Sequence, residues 1–259
     1  MKLFGRMILT KISVSVNIWY NNIMNKRAKQ FLLHTVARNY ENIATDFDQS
    51  RQRPMKPLVH EISKDLSFQT GARVLDLGCG NACFLPVLSL YQKDFFYLGV
   101  DGSSNLIDLA RKNQGDHFKV LNILDLDKLV EKDFDIIFSW AVLHHIPGKD
   151  LRQEVLEKVF NKLKDGGKFV FSVWKFSTLA QKKKLSFVKI FLEQLLHGRL
   201  IDRGDFIFPW KGSAQNDSDR VRYYHNFSKK ELEKMITKTS FSVEKFREDD
   251  FNYYYILKK

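Results

Sequence analysis

The run Val74-Leu75-Asp76-Leu77-Gly78-Cys79-Gly80-Asn81-Ala82-Cys83-Phe84 joins an apolar strand to a glycine turn and then to the start of a helix. Strand, tight turn and helix in direct succession open a βαβ unit, and that commits the chain to a parallel sheet with helices packed on it. The turn offers backbone N–H groups at a helix N-terminus, and its bare glycines let a ligand come close to the main chain. In a dinucleotide fingerprint, G-x-G-x-x-G follows the strand at once and seats a pyrophosphate. Here Asp76 precedes the first glycine, Gly78. A carboxylate at a strand tip repels a pyrophosphate and attracts an ammonium group.

A second apolar run, Phe95-Phe96-Tyr97-Leu98-Gly99-Val100, closes on Asp101, whose carboxylate can accept both hydroxyls of a ribose. Ribose plus ammonium points to S-adenosylmethionine. The segment resembles the class I methyltransferase family, whose first motif reads D/E-x-G-x-G-x-G: Asp76, Gly78 and Gly80 match, and Ala82 replaces the third glycine, adding a methyl group near the cofactor. Further pieces arrive in the family's order. Phe134 to Ser139 is an apolar strand, Trp140 to Ile146 resembles the post-strand segment, and Lys149 to Leu163 is a helix stopped by Asp165-Gly166-Gly167 before a strand from Lys168 to Trp174. The resemblance implies an α/β, Rossmann-like fold: a seven-stranded, mostly parallel sheet with an antiparallel last strand, helices on both faces, and a helical lid or insertion.

At 259 residues and 44% apolar content, the chain can bury one α/β core with room for an added subdomain. Its two cysteines, Cys79 and Cys83, lie on the glycine turn with no second pair nearby. They are read as packing residues, not as a disulfide framework or a metal site, and an intracellular, reducing compartment fits, namely the cytoplasm. No apolar run reaches the length of a transmembrane helix. Residues 1–30 carry Lys2, Arg6, Lys11, Lys26, Arg27 and Lys29 with no acidic residue, half of the +12 net charge. Lys11 breaks the apolar stretch that a signal peptide needs. Two readings of this basic extension stay open: a working segment, or a poorly ordered or untranslated stretch before a true start at Met24.

Along the rest of the chain, apolar residues at helical spacing predict an amphipathic helix over Phe31 to Phe47, packed on the catalytic core. Pro54 and Pro57 separate it from a second helix, Leu58 to Ser67, so residues 31–70 are expected to cover the cofactor site and residues 71–259 to form the catalytic domain. After Trp174 the strand–helix rhythm breaks. Residues 175–220 read as an insertion over the site's rim, with Lys182-Lys183-Lys184, an amphipathic stretch from Phe187 to Leu196, and then Arg199, Arg203 and Phe206 to Trp210. Ser228 and Glu231 form a capping box for a late helix. Two final strands, Phe241 to Phe246 and Asn252 to Leu257, make a hairpin around Glu248-Asp249-Asp250.

Within the methyltransferases, the chain resembles the tRNA wobble-uridine enzymes that esterify a 5-carboxymethyl group. Their N-terminal pattern, roughly Y-x-x-I-A-x-x-F-x-x-T-R-x-x-P-W, is met by Tyr40, Ile43, Ala44, Phe47, Ser50, Arg51 and Pro54, with Met55 in place of tryptophan. Ala141 to His145 resembles A-V-I-H-H, Val173-Trp174 V-W, Phe208-Pro209-Trp210 V-P-W, and Arg222 to His225 R-Y-Y-H. Asn122-Ile123 stands where an Asp-Ala pair commonly faces the adenine. The resemblance implies cofactor contacts from Tyr40, Arg51, Asp76, Gly78, Cys79, Gly80, Asn81, Asp101, Gly102, Asn122, Ile123, Ser139 and Trp140. It implies tRNA as substrate partner, and eukaryotic relatives work with a small zinc-binding activator protein.

Methyl transfer from a sulfonium chiefly requires alignment. A carboxylate acceptor is ionised at neutral pH and needs no base, and arginine grips it through two parallel bonds. Arg51, Arg53 and Arg222 are the candidates for orienting it, while His144 or His145 could serve as base for a hydroxyl acceptor instead. Trp210, Tyr223 and Tyr224 could stack an unpaired base, and the net charge favours a polyanion. The competing readings are a small-molecule methyltransferase acting on a quinone or lipid-like acid, and a non-catalytic RNA-binding module on the same fold.

Overall fold

The computed structural model describes residues 26–51, 55–175, 202, 204–209 and 221–259, with backbone alone at 206–209 and 221. Arg53, Trp210, the lysine run 182–184, the expected helix 187–196, Arg199 and Arg203 lie outside the described residues.

A seven-stranded sheet in the order β3-β2-β1-β4-β5-β9-β8 forms the centre. Its strands are β1 (Ala72–Leu77), β2 (Phe95–Asp101), β3 (Phe118–Val120), β4 (Phe134–Trp140), β5 (Leu163–Trp174), β8 (Ser242–Glu248) and β9 (Asn252–Lys258). β1 to β5 run parallel, whereas β9 is antiparallel to both β5 and β8. This is the expected sheet. Alternation along each strand divides the core in two. Leu75, Leu77, Ile137, Phe169, Phe171 and Leu257 face one side, against α6 (Lys149–Lys162) and α7 (Lys229–Ile236). Val74, Tyr97, Ile136, Phe138, Val170 and Ile256 face the other, against α3 (Pro57–Asp65), α4 (Leu85–Tyr91) and α5 (Ser104–Gln114).

The chain leaves β1 towards β2 on one side and returns to β4 on the other, so strand order reverses at β1 and a crevice opens beyond its C-terminal end. Over that crevice lie α1 (Lys26–Asn42) and α2 (Ala44–Ser50). The single helix expected from Phe31 is already formed at Lys26 and is interrupted at Ile43, whose backbone (φ −102°, ψ 10°) leaves the helical range.

Separate from the main sheet, β6 (Asp205–Pro209) and β7 (Val221–His225) pair antiparallel as a ribbon that the sequence did not announce. The Ser228 capping box is only half made. Ser228 Oγ accepts from Glu231 N at 3.2 Å, while the Glu231 side chain turns away to His225 and Arg152. Two buried polar partners outcompete a single backbone N–H.

Candidate functional site

The crevice holds a cavity whose wall includes Gly78 and Gly80 from the turn after β1, Asp101, Gly102 and Ser103 after β2, and Asn122 and Ile123 after β3. Trp140, Ala141 and Val142 line it after β4, and Leu33, Val36, Ala37, Tyr40, Phe47 and Arg51 close it from α1 and α2. Gly78 has φ +79°, and a Cβ there would stand 2.5 Å from Val142 Cγ2, so both backbone twist and close approach require glycine. Ala82, at φ +62° and fully buried, fills the core and is not part of the wall. The methyl expected near the cofactor therefore packs against the protein, at the cost of a left-handed alanine.

Asp101 is held from two directions. Its Oδ2 accepts from Gly80 N at 3.0 Å and its Oδ1 from Ser103 N at 2.9 Å. Each carboxylate oxygen keeps a further lone pair, so the pair can still receive two hydroxyls. Burial raises the Asp101 pKa, and the backbone N–H groups of Ser103, Gly80 and Gly102 oppose that rise. Asn122 Oδ1 accepts from Leu124 N at 3.0 Å, which fixes the side chain at the edge of the apolar slot formed by Leu106, Leu121 and Ile123.

Four expected cofactor residues lie behind the wall. Asp76 is 2% exposed and accepts from Tyr97 OH at 2.7 Å. Burial pushes its pKa up to about 7, with Tyr97 opposing the shift and the Asp101 charge adding to it. Asn81 donates to Asp48 Oδ1 at 2.7 Å, Ser139 Oγ to Leu77 O at 3.1 Å, and Cys79 N to Val100 O at 3.0 Å. The side chains of Asp76, Asn81 and Ser139 and the main chain of Cys79 brace the turn. The strand pattern places them at the right depth, but their hydrogen-bond partners, distant in sequence, decide which way they face.

At the α1 end of the cavity an aromatic row runs between two cations. Arg51 Cζ is 4.7 Å from the Phe47 ring centre, Phe47 packs edge-on to Tyr40 at 5.9 Å, and Arg222 Cζ is 5.9 Å from the Tyr40 ring. Tyr40 OH lies 2.8 Å from His145 Nε2, and His145 Nδ1 lies 3.4 Å from the Tyr223 carbonyl. Burial pushes the His145 pKa down to about 3, and the charges of Arg222 and Arg51 push the same way against the Tyr223 bond. The ring is neutral. A carbonyl only accepts, so Nδ1 carries the hydrogen and Nε2 accepts from Tyr40.

His144 is also driven well below its ordinary value, by burial first and then by neighbouring His145. Fully buried, it accepts from Trp174 N and does not line the cavity. Arg222, 9% exposed, stands behind Tyr40 and donates to Tyr224 OH at 3.1 Å. Tyr223 and Tyr224 are each 1% exposed and stack no incoming base in this arrangement. Trp174 and Glu41 were not nominated from the sequence. Trp174 lines the cavity and stacks on Tyr224 at 5.1 Å. The Glu41 carboxylate accepts from Ser103 Oγ at 2.6 Å and from Asn105 N at 3.3 Å, at the N-terminus of α5. A signal for it was present: Ser103-Ser104-Asn105 opens a helix with no acidic residue in its first turn.

The wall suits S-adenosylmethionine: a doubly anchored carboxylate for ribose, a bare turn for close main-chain approach, and an apolar slot with one amide for a base. Among the described residues, no cluster of metal-ligating side chains is present, and no helix is long and apolar enough to cross a membrane.

Comparison with known proteins agrees with this geometry. Residues 47–245 match the family described as "Methyltransferase domain". The chain is 32% identical over 163 residues to the tRNA (carboxymethyluridine(34)-5-O)-methyltransferase of Macaca fascicularis, covering 63% of this chain and 23% of that protein. This chain thus spans about a quarter of that relative's length. It is 28% identical to the enzyme of the same name from Schizosaccharomyces pombe, covering 85% of this chain and 94% of that one. In fold it matches a S-adenosylmethionine-dependent methyltransferase from Methanosarcina mazei with a TM-score of 0.61, at 21% identity, over 80% of this chain and 99% of that one. Glycine turn, sheet order and family match converge, and the chain belongs to the methyltransferase domain family, in its class I S-adenosylmethionine-dependent form.

Proposed function

We propose that this chain transfers a methyl group from S-adenosylmethionine to the carboxylate of a 5-carboxymethyl group on the wobble uridine of tRNA, giving the methyl ester, in the cytoplasm. One observation carries the choice of acceptor: at the α1 end of the cavity Arg51 lines the wall, Arg222 stands behind Tyr40, and no available base is present there among the described residues. His145 is neutral, and the one ring nitrogen that could take a proton is occupied by Tyr40 OH. A hydroxyl acceptor would need that base. A carboxylate needs positive charge and alignment instead.

When bound, the cofactor supplies a methyl already activated on sulfur. Asp101 holds the ribose, Asn122 and the Leu106–Leu121–Ile123 slot hold the base, and the Gly78–Gly80 turn lets the main chain meet the amino-acid end. Asp76 lies behind that turn, bonded to Tyr97 OH. Arg51 and Arg222 orient the acceptor carboxylate, and Trp174 and Tyr40 keep water from it. A carboxylate acceptor is already ionised, so these residues would only have to bind, orient and exclude water, and none of them has to take or give a proton. The names of the relatives and the +12 net charge support a tRNA acceptor.

Arg222→Lys and Arg51→Lys test the reading through steady-state kinetics on tRNA bearing 5-carboxymethyluridine. Each is expected to raise KM by about tenfold, because a point charge replaces a planar fork. Unchanged kinetics in both variants would remove the proposed carboxylate grip.

A further inference from the structure

Away from the cavity wall, the described residues bury an ionic network that the methyl-transfer reading leaves unused. Arg152 on α6 is 1% exposed, and its guanidinium donates to Asp202 Oδ2 at 3.2 Å and to Ile146 O at 3.0 Å. It also lies 3.6 Å from Glu231 Oε1 on α7. Fully buried at the end of β7, His225 has Nδ1 bonded to Asp205 Oδ1 of β6 and Nε2 2.9 Å from Glu231 Oε1. Tyr223 OH donates to the same Asp205 oxygen at 2.8 Å, and Asp202 N donates to Asp205 Oδ2 at 3.0 Å.

Ionised carboxylates only accept hydrogen bonds, whereas a neutral imidazole has one N–H and one lone pair. In the neutral form, that lone pair would face a carboxylate oxygen. Both contacts are satisfied together only when each ring nitrogen carries a hydrogen. Glu231 is consistent with a cation there: burial raises its pKa, yet the His225 hydrogen bond and the charges of His225 and Arg152 bring it below the ordinary value.

What the network holds is the ribbon. β6 and β7 form a two-stranded sheet of their own, and such a hairpin is marginal by itself in water. β7 nevertheless carries three contacts to the acceptor end of the cavity. Arg222 stands over Tyr40, Tyr224 packs 4.8 Å from His145, and the Tyr223 carbonyl receives His145 Nδ1–H.

We propose that His225 is a positioning residue for the methyl acceptor: as an imidazolium bridging Asp205 and Glu231, it fixes β7 so that Arg222 and Tyr224 stay against the acceptor end of the cavity. The inference rests on the acceptor reading above, because Arg222 is the group it positions.

In His225→Gln the amide N–H serves one carboxylate while its oxygen faces the other. KM for carboxymethylated tRNA is expected to rise about tenfold, with calorimetric affinity for S-adenosylmethionine held within about twofold. Adding Glu231→Gln gives that oxygen a donor and restores most of the lost KM. An unchanged KM in His225→Gln overturns the proposal, and so does an equal loss of cofactor and acceptor affinity, which marks a merely structural role. Should the variant not fold, long-range ¹⁵N spectra of histidine-labelled wild-type protein decide the matter. Both ring nitrogens of His225 protonated at neutral pH supports the bridge, and one bare nitrogen overturns it. That spectrum needs no acceptor, so wild-type protein inactive on carboxymethylated tRNA sinks the acceptor reading without touching this result.

Discussion

Asp76, buried near the end of β1, and Asp101, half-buried at the end of β2, are carboxylates with no ion-pair partner among the described residues, and there ligand binding opposes folding. Asp76 makes this measurable. Its native pKa near 7 lies above the 3.8 of an ordinary aspartate, so the folded state binds the extra proton. The penalty of ionising it is absent below the ordinary value, grows as pH rises, and is complete above about 7. Asp76→Asn keeps an acceptor for Tyr97 and removes that charge. It is expected to stabilise the ligand-free protein by roughly 3–4 kcal/mol at pH 8 and by little at pH 4, read from urea midpoints. A variant no more stable than wild type at pH 8 would show that Asp76 carries no such penalty. At this scale the sequence was informative where chemistry is local. The turn glycines and Asp101 followed from a strand, a bend and a helix in succession. The burial of Asp76 behind the wall was hidden, because Tyr97 reaches it from the next strand.

Among the elements, α1 and α2 decide whether the cavity is a groove or an enclosure. Leu32 packs on Tyr223 of β7, and the remaining fastening is electrostatic. Glu41 places its carboxylate on the N-terminus of α5, accepting from Ser103, Ser104 and Asn105, while Asn105 Nδ2 donates back to Glu41 O at 3.0 Å. Lys29 pairs with Asp150 at the start of α6. Burial raises the Glu41 pKa, but the hydroxyl and backbone donors together bring it below its ordinary value, as an anion at a helix N-terminus requires. Glu41→Ala is expected to weaken cofactor binding by about 1 kcal/mol and to speed hydrogen exchange in α1. Unaltered exchange there would place the fastening elsewhere. The amphipathic pattern announced a helix but not its break at Ile43 or the partner of its polar face. The β6–β7 ribbon was equally opaque: its two strands are short and anchored by Arg152 and Glu231 from helices on either side of it in the chain.

For the whole molecule, the mostly parallel sheet with its reversed last strand was the most legible feature. Alternating strands and helices admit few sheets, and the acidic turn at 248–250 forces the last strand back against its neighbour. Charge is a second global property. With 42 basic against 30 acidic residues, tRNA affinity is expected to fall by about tenfold or more between roughly 50 and 200 mM salt, followed by filter binding; salt-independent binding would set aside the polyanion as partner. The central claim is transfer to a carboxylate on the wobble base, and nucleoside mass spectrometry tests it most directly. Purified protein is incubated with methyl-labelled S-adenosylmethionine and tRNA carrying 5-carboxymethyluridine, and the digested nucleosides are weighed. The account predicts labelled 5-methoxycarbonylmethyluridine whose label is released by mild alkali as methanol. Label on a ring or ribose atom, or none with cofactor demonstrably bound, would contradict it.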